Sequence, residues 1–176
     1  MMDYNQNVSI AKKGVNRATG IVIRDGKVLL MHRRNRGKEY YTFPGGGIGE
    51  GETSEEALVR ELLEETSVSV TPQKLVYTIT WDDETSELFH LSIFVSGETE
   101  LSEGSIEKEV MLKNPEQFYE PLWMSLVEVQ RVLLYPLEIK EWFLEDLKTG
   151  FLGEARNITL DRRMARQTMK SRKCDG

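Results

Sequence analysis

The sequence predicts a mixed α/β domain in which a sheet is covered by helices, and three observations carry that expectation. Two apolar, β-branched stretches, residues 18–31 and 75–95, are broken by turn residues and read as strands. Between them lies one run of strong helix formers, residues 53–66. Two amphipathic stretches near the end read as further helices. Strands, helix, strands, helices is the order of a sheet with helices packed on it.

Taken in order, residues 18–23 form a first strand, Asp25-Gly26 is a hairpin turn, and Val28 to Met31 is a largely buried return strand. Asn35-Arg36-Gly37 reads as a loop. Tyr40 to Phe43 is a short strand, stopped by Pro44 and the glycines Gly45, Gly46, Gly47 and Gly49. Thr53 and Glu56 have the spacing of a capping box, so a helix is expected from Thr53 to about Thr66. Pro72 separates it from strands at Leu75–Trp81 and Leu88–Val95. Residues 98–117 are polar and read as irregular, and Glu120 to Met124 is a late strand. Ser125 caps an expected helix to about Leu133, Pro136 breaks it, and Leu137–Leu147 is a second one. Gly150 and Gly153 are read as the end of compact structure. The expected organisation is an arm over 1–14, one domain over 15–150 and a basic tail over 151–176.

Composition narrows the function. The chain of 176 residues carries a net charge of −6, unevenly spread. From Glu154 onward seven Lys/Arg oppose three acids, so this end is net +4 and the remainder −10. An acidic body argues against a general nucleic-acid binder. It suits a protein that gathers carboxylates around a divalent cation. No apolar run approaches the roughly 20 residues of a membrane-spanning helix, so no membrane partner is expected. The N-terminus lacks the apolar block of a secretory signal. The single cysteine, Cys174, makes neither an internal disulfide nor a thiolate zinc site, and a reducing cytoplasm is the expected compartment.

The chemistry gathers between Gly46 and Val68. On a helix turning about 100° per residue, Glu61, Glu64 and Glu65 fall in one sector beside an apolar face of Leu58, Val59, Leu62 and Leu63. Like charges at these spacings repel, and a hard cation such as Mg²⁺ offsets that repulsion well. The glycines before the helix let backbone approach a ligand and aim a carbonyl at a metal or an amide at a phosphate. Glu52 lies between glycines and helix and offers one more oxygen near the site. Arg60, on the flank of the acidic sector, is placed to hold a neighbouring carboxylate.

These residues resemble the signature of the Nudix hydrolase family, G-x5-E-x7-R-E-U-x-E-E-x-G-U with U bulky and aliphatic. Gly46, Glu52, Arg60, Glu61, Leu62, Glu64, Glu65 and Val68 stand at the matching places, and Ser67 replaces the second glycine. If that position needs a positive φ, serine costs about 1 kcal/mol there. The likeness extends to Arg17–Arg33, to Tyr40–Gly47 and to Tyr119–Trp123, and spans roughly Val15 to Leu147. It implies a Nudix-type α/β/α sandwich with a mixed β-sheet between helices. It also implies Mg²⁺-dependent hydrolysis of a diphosphate linkage in a small nucleotide-type substrate, with Mn²⁺ as an alternative ion. The substrate classes left open are a nucleoside triphosphate, an ADP-ribose-like molecule and a dinucleotide. By motif matching, Glu61, Glu64 and Glu65 are metal ligands, the Gly46 carbonyl is a further one, and Glu52 is a ligand or support. Some members draw a general base from a downstream loop, where Glu107 and Glu109 lie here. Relatives are commonly dimers, so a homodimer is left open.

Other residues have two readings. Arg33, Arg34 and Arg36 meet substrate phosphates or edge a solvated loop, and Arg33 is carried as the substrate contact. Tyr40, Tyr41 and Phe43 stack on a base or fill the core, and Tyr41 is carried with Gly45, Gly46 and Gly47 on the substrate side. His32 and His90 lack metal-ligand spacing and read as structural, and Trp81, Trp123 and Trp142 read as core. Two rival functions stand beside the hydrolase: a non-catalytic nucleotide sensor, and an RNA 5′-end pyrophosphohydrolase supported only by the basic tail.

Overall fold

A computed structural model of the chain describes residues 16–101 and 103–164. The arm over 1–14 and the far part of the tail, with Cys174, lie outside the described residues.

Two hairpins open the fold. β1 (Arg17–Arg24) and β2 (Lys27–Asn35) pair antiparallel across Asp25 and Gly26, both at positive φ. That is the turn whose twist matches the strands it joins. β2 and β3 (Lys38–Thr42) are joined the same way through Arg36 and Gly37. β4 (Gly45–Gly47) then lies antiparallel against the start of β1, with Ala18 opposite Gly46. α1 (Ser54–Thr66) follows, capped at Thr53 by the expected box with Glu56.

β5 (Ser69–Trp81) and β6 (Ser86–Ser96) form a long antiparallel pair, and β6 runs parallel to β1. α2 (Ile106–Lys113) leads into β7 (Gln117–Ser125), which pairs along the whole of β2. α3 (Leu126–Val129), β8 (Leu134–Tyr135), α4 (Leu137–Thr149) and β9 (Arg156–Leu160) complete the described chain. The sheet runs β8-β3-β2-β1-β6-β5-β9, with β4 on β1 and β7 on β2.

Strand alternation sends successive side chains to opposite faces. Ile21, Leu30 and Phe89 form one core with Ile139 and Phe143 of α4. Val22 and Leu29 form the other, with Leu58 and Leu62 of α1. The expected sandwich is therefore present. Trp81 and Trp142 pack against the first core and Trp123 against the second. Burying each such α1 leucine contributes about 1.5–3 kcal/mol and fixes which way the helix's carboxylates face.

Several expectations are corrected. Residues 98–117 are not irregular throughout, since α2 forms there with Ser105 as its cap. No α2 residue is buried, so the apolar periodicity that marks a helix in sequence is absent. The helix after Ser125 stops at Val129, because Leu134 and Tyr135 pair with β3 instead. Pro72 does not separate elements; it lies inside β5 at a register irregularity, where a missing N–H is tolerated. Compact structure also continues past Gly150 and Gly153. β9 adds to β5 in parallel, Arg156 pairs with Glu145 and Asp146, and Arg162 pairs with Asp83 and lies over Trp81. Among the described residues no helix is long and apolar enough to cross a membrane.

Two predictions follow from these contacts. Ser67 closes α1 at φ 57°, in the left-handed region. Ser67→Gly should therefore stabilise the fold by about 1 kcal/mol, read by chemical denaturation. Asp83 has its carboxyl held down at about 2 by the Thr85 hydroxyl and then by Arg162. A carboxyl lowered by folding contributes stability that is fully present above its ordinary value of 3.8 and fades as pH falls towards 2. Asp83→Asn should lower the melting temperature at neutral pH, with the gap to wild type closing across that acidic window.

Candidate active site

The site lies where α1 meets β4. With Leu58 and Leu62 buried beneath the helix, Glu61 and Glu65 are turned towards the glycine strand while Glu64 stays largely in solvent. Glu65 is buried, and its Oε2 accepts the Gly45 N–H at 2.9 Å. Its other oxygen is 3.7 Å from Arg33 Nη2. Burial pushes the Glu65 carboxyl up from the ordinary range, Arg33 opposes this, and Glu107 pushes it further up.

The glycines are required by space. Gly45 has φ +151°, and a Cβ there would sit 2.2 Å from the Ala18 carbonyl oxygen. A Cβ on Gly46 would sit 2.0 Å from the Glu61 carboxylate carbon. The strand thus lies in contact with two carboxylates of the acidic helix, one at each glycine.

Arg60 binds the rest of the acidic set. Its guanidinium forms a two-pronged pair with Glu52 at 2.9 and 2.8 Å. It also donates to Glu61 at 2.8 Å and to the Gly47 carbonyl at 3.0 Å, and stands 3.5 Å from Glu64. Glu52 takes the Gly49 N–H as well, at 2.8 Å. Arg60 first, then Gly49, holds the Glu52 carboxyl down at about 2. The two carboxylates raise the Arg60 guanidinium in turn. Arg60 does what its place in the sequence led us to expect, while Glu52, carried as a metal ligand, here spends its oxygens on Arg60 and Gly49.

Among the described residues no three His, Cys, Asp or Glu side chains converge closely enough to hold an ion. Glu65 turns to Gly45, and Glu61 and Glu64 turn to Arg60. The donor chemistry nevertheless fits a hard cation. Glu61, Glu64 and Glu65 and the glycine backbone present oxygens within about a turn and a half of helix.

Arg33 is not at a solvated loop edge, since it lies within β2 and is 3% exposed. Its Nε donates to Thr42 at 3.0 Å, its guanidinium lies 5.1 Å from the Tyr119 ring, and its buried Nη1 has no hydrogen-bond partner among the described residues. Tyr40 and Tyr119 are its direct cross-strand neighbours. Tyr41 is one residue along, so the pleat sends it to the opposite face, where it stacks on His32 at 4.8 Å. Tyr40, not Tyr41, accompanies Arg33. Glu107, on α2, bears electrostatically on both Glu65 and Tyr119. Glu109 is instead 3.4 Å from Lys113 on the same helix. His90 is buried, with Glu55 4.0 Å away, and burial lowers its imidazole.

Sequence reading did not single out Tyr40, as against Tyr41, or Tyr119 as the neighbours of Arg33. Their placement comes from strand register, which no local signal in the sequence reports.

The family model described as the NUDIX domain matches residues 14–143. An ADP-ribose pyrophosphatase of Methanocaldococcus jannaschii is 48% identical over 50 residues, which is 28% of this chain and 30% of that protein. An RNA pyrophosphohydrolase of Actinobacillus succinogenes is 40% identical over 58 residues, 33% of this chain and 29% of that protein. The chain thus aligns with less than a third of the length of these curated relatives. A crystal structure of a NUDIX hydrolase from Nitrosomonas europaea has the same fold, with a TM-score of 0.64, 16% identity, and coverage of 87% of this chain and 82% of that one.

The two glycines should respond differently to substitution. Gly45→Ala drives a Cβ into backbone and should cost about 1–3 kcal/mol or more in denaturation. Gly46→Ala meets only the end of a side chain, so the fold should persist with Glu61 displaced, visible in a crystal structure of the variant.

Proposed function

Because the chain belongs to the NUDIX domain family, we propose that it is a Mg²⁺-dependent hydrolase of the diphosphate linkage in a nucleoside diphosphate-linked substrate. The observation that carries this reading is the contact of two helix carboxylates, Glu61 and Glu65, with the glycine strand.

The residues divide into roles. Glu61, Glu64, Glu65 and the Gly46 carbonyl would hold the cation, whose chemistry there is to neutralise phosphoryl oxygens and lower the pKa of a water. Arg60 keeps Glu61 oriented, with Glu52 bracing Arg60 from the other side. The Nη1 of Arg33, without a partner among the described residues, offers a buried, charged donor to a phosphoryl oxygen, and leaving such a donor unfilled is costly. Gly45 and Gly47 let the diphosphate come close to backbone. Tyr40 and Tyr119 flank Arg33 and offer flat faces to the rest of the substrate. Glu107 is the general base in this scheme: it takes a proton from water as the water oxygen bonds to phosphorus and the anhydride P–O bond breaks.

The hydrolase reading has more support than its rivals. A sensor has no need of the full acidic set, and all of it is present. An RNA-end enzyme drew on the basic tail, and two of its seven Lys/Arg, Arg156 and Arg162, are committed to Glu145, Asp146 and Asp83. The substrate proposed is therefore a small nucleotide. The single cysteine supports a reducing compartment, the cytoplasm.

The test is a substrate panel of ADP-ribose, dinucleotides, nucleoside triphosphates and a 5′-triphosphorylated RNA, with Mg²⁺ or Mn²⁺ and products identified by mass. Cleavage within a diphosphate, lowered at least roughly 10–100-fold by Glu65→Gln, is the expected result. A purified, folded protein that cleaves none of them overturns the proposal.

A further inference from the structure

The glycine strand touches both buried-side carboxylates and is laddered to β1 along Arg17–Thr19, yet its three consecutive glycines add no side chains of their own to fix it. Gly45 meets Glu65 through its N–H, and Gly46 lies against the Glu61 carboxylate. Gly45 carries the N–H that Glu65 accepts and, in the next peptide unit, the carbonyl that leads to Gly46, so the conformation of Gly45 couples the two contacts.

Besides the ladder, a side chain outside the acidic motif holds the Gly45–Gly46 peptide. Arg17, at the start of β1, donates from Nη2 to the Gly45 carbonyl at 2.7 Å. Such a charge-assisted bond is about twice as strong as a neutral one. Arg17 is itself braced. Its Nε is 3.9 Å from Glu87 Oε1, and that same oxygen accepts the Thr19 hydroxyl at 2.9 Å. Glu87 is the direct neighbour of Arg17 across the parallel β1–β6 pair. The order of support is Thr19 and β6, then Glu87, then Arg17, then the Gly45–Gly46 plane, then the carboxylates.

We infer that Arg17, backed by Glu87, is a positioning residue of the active site, which sets the tilt of the Gly45–Gly46 peptide and through it the placement of Glu65 and Glu61. The inference rests on the hydrolytic reading of that site, but it concerns contacts within the chain and is measurable without turnover. Neither residue touches substrate in this scheme.

The test compares wild type with Arg17→Gln, Arg17→Lys and Glu87→Gln. Three measurements are made on the full chain: melting temperature, backbone amide NMR shifts of Gly45 and Gly46, and Mg²⁺ affinity by calorimetry. Kinetics are added on whichever substrate the panel yields. Arg17→Gln should shift both glycine amides, weaken Mg²⁺ binding roughly 10-fold and lower kcat by a similar factor, with KM changed less than about twofold. Lysine at position 17 keeps the charge and should restore part of the loss; Glu87→Gln should reproduce it in weaker form. Unchanged glycine amides and Mg²⁺ affinity in Arg17→Gln would overturn the inference. So would a kcat loss that only tracks the melting temperature. If wild type cleaves nothing, the hydrolytic reading fails by itself, and the amide shifts and Mg²⁺ titration still decide the role of Arg17.

Discussion

The arrangement depends on one constraint: a carboxylate with little access to water must be satisfied by groups built into the fold. Glu65 meets that constraint with the Gly45 N–H and the nearby Arg33 guanidinium. An unpaired buried charge is among the most expensive things a fold can contain. The glycine strand therefore has to lie where it does, α1 has to keep its rotational phase, and β2 has to bring Arg33 inward. The leucines under α1 and the register of β2 are packing decisions, but their consequence is electrostatic.

Arg60 manages the remaining repulsion. Glu61 and Glu64 lie on one helix flank with Glu52 close by, and all three face a single guanidinium. A planar fork with five donors does this better than a point charge on a flexible stem. The same contacts join the glycine loop to the helix, because Arg60 also takes the Gly47 carbonyl. Charge compensation and loop geometry are thus one set of hydrogen bonds.

Much of this was legible in the residues. The Thr53–Glu56 box placed α1, Asp25-Gly26 placed the first hairpin, and the phase of Leu58 and Leu62 placed the acidic flank. What escaped was what depends on partners far along the chain. α2 is eight residues long with no buried side chain, so its sequence lacks a helix period. β8 and β9 are short and exist because β3 and β5 offer edges to pair with. Tyr40 and Tyr41 are adjacent and chemically identical, and only the pleat separates their roles. Arg33 sits in the polar run His32-Arg33-Arg34-Asn35, which locally looks like solvent-facing sequence; Glu65 and Tyr119, from distant parts of the chain, draw it inside.

The last strand has a wider meaning for where the sheet ends. β5 spans thirteen residues, and its outer side is covered along Tyr77–Trp81 by β9, which lies beyond the stretch matched by the NUDIX domain model. An unpaired row of amide and carbonyl groups is the kind of border along which separate molecules stitch together, and β9, itself outermost, moves that border outward over this stretch. A fragment trimmed to the matched stretch would bare Tyr77–Trp81 of β5, whereas in the longer chain that border passes to β9, an outermost strand of only five residues.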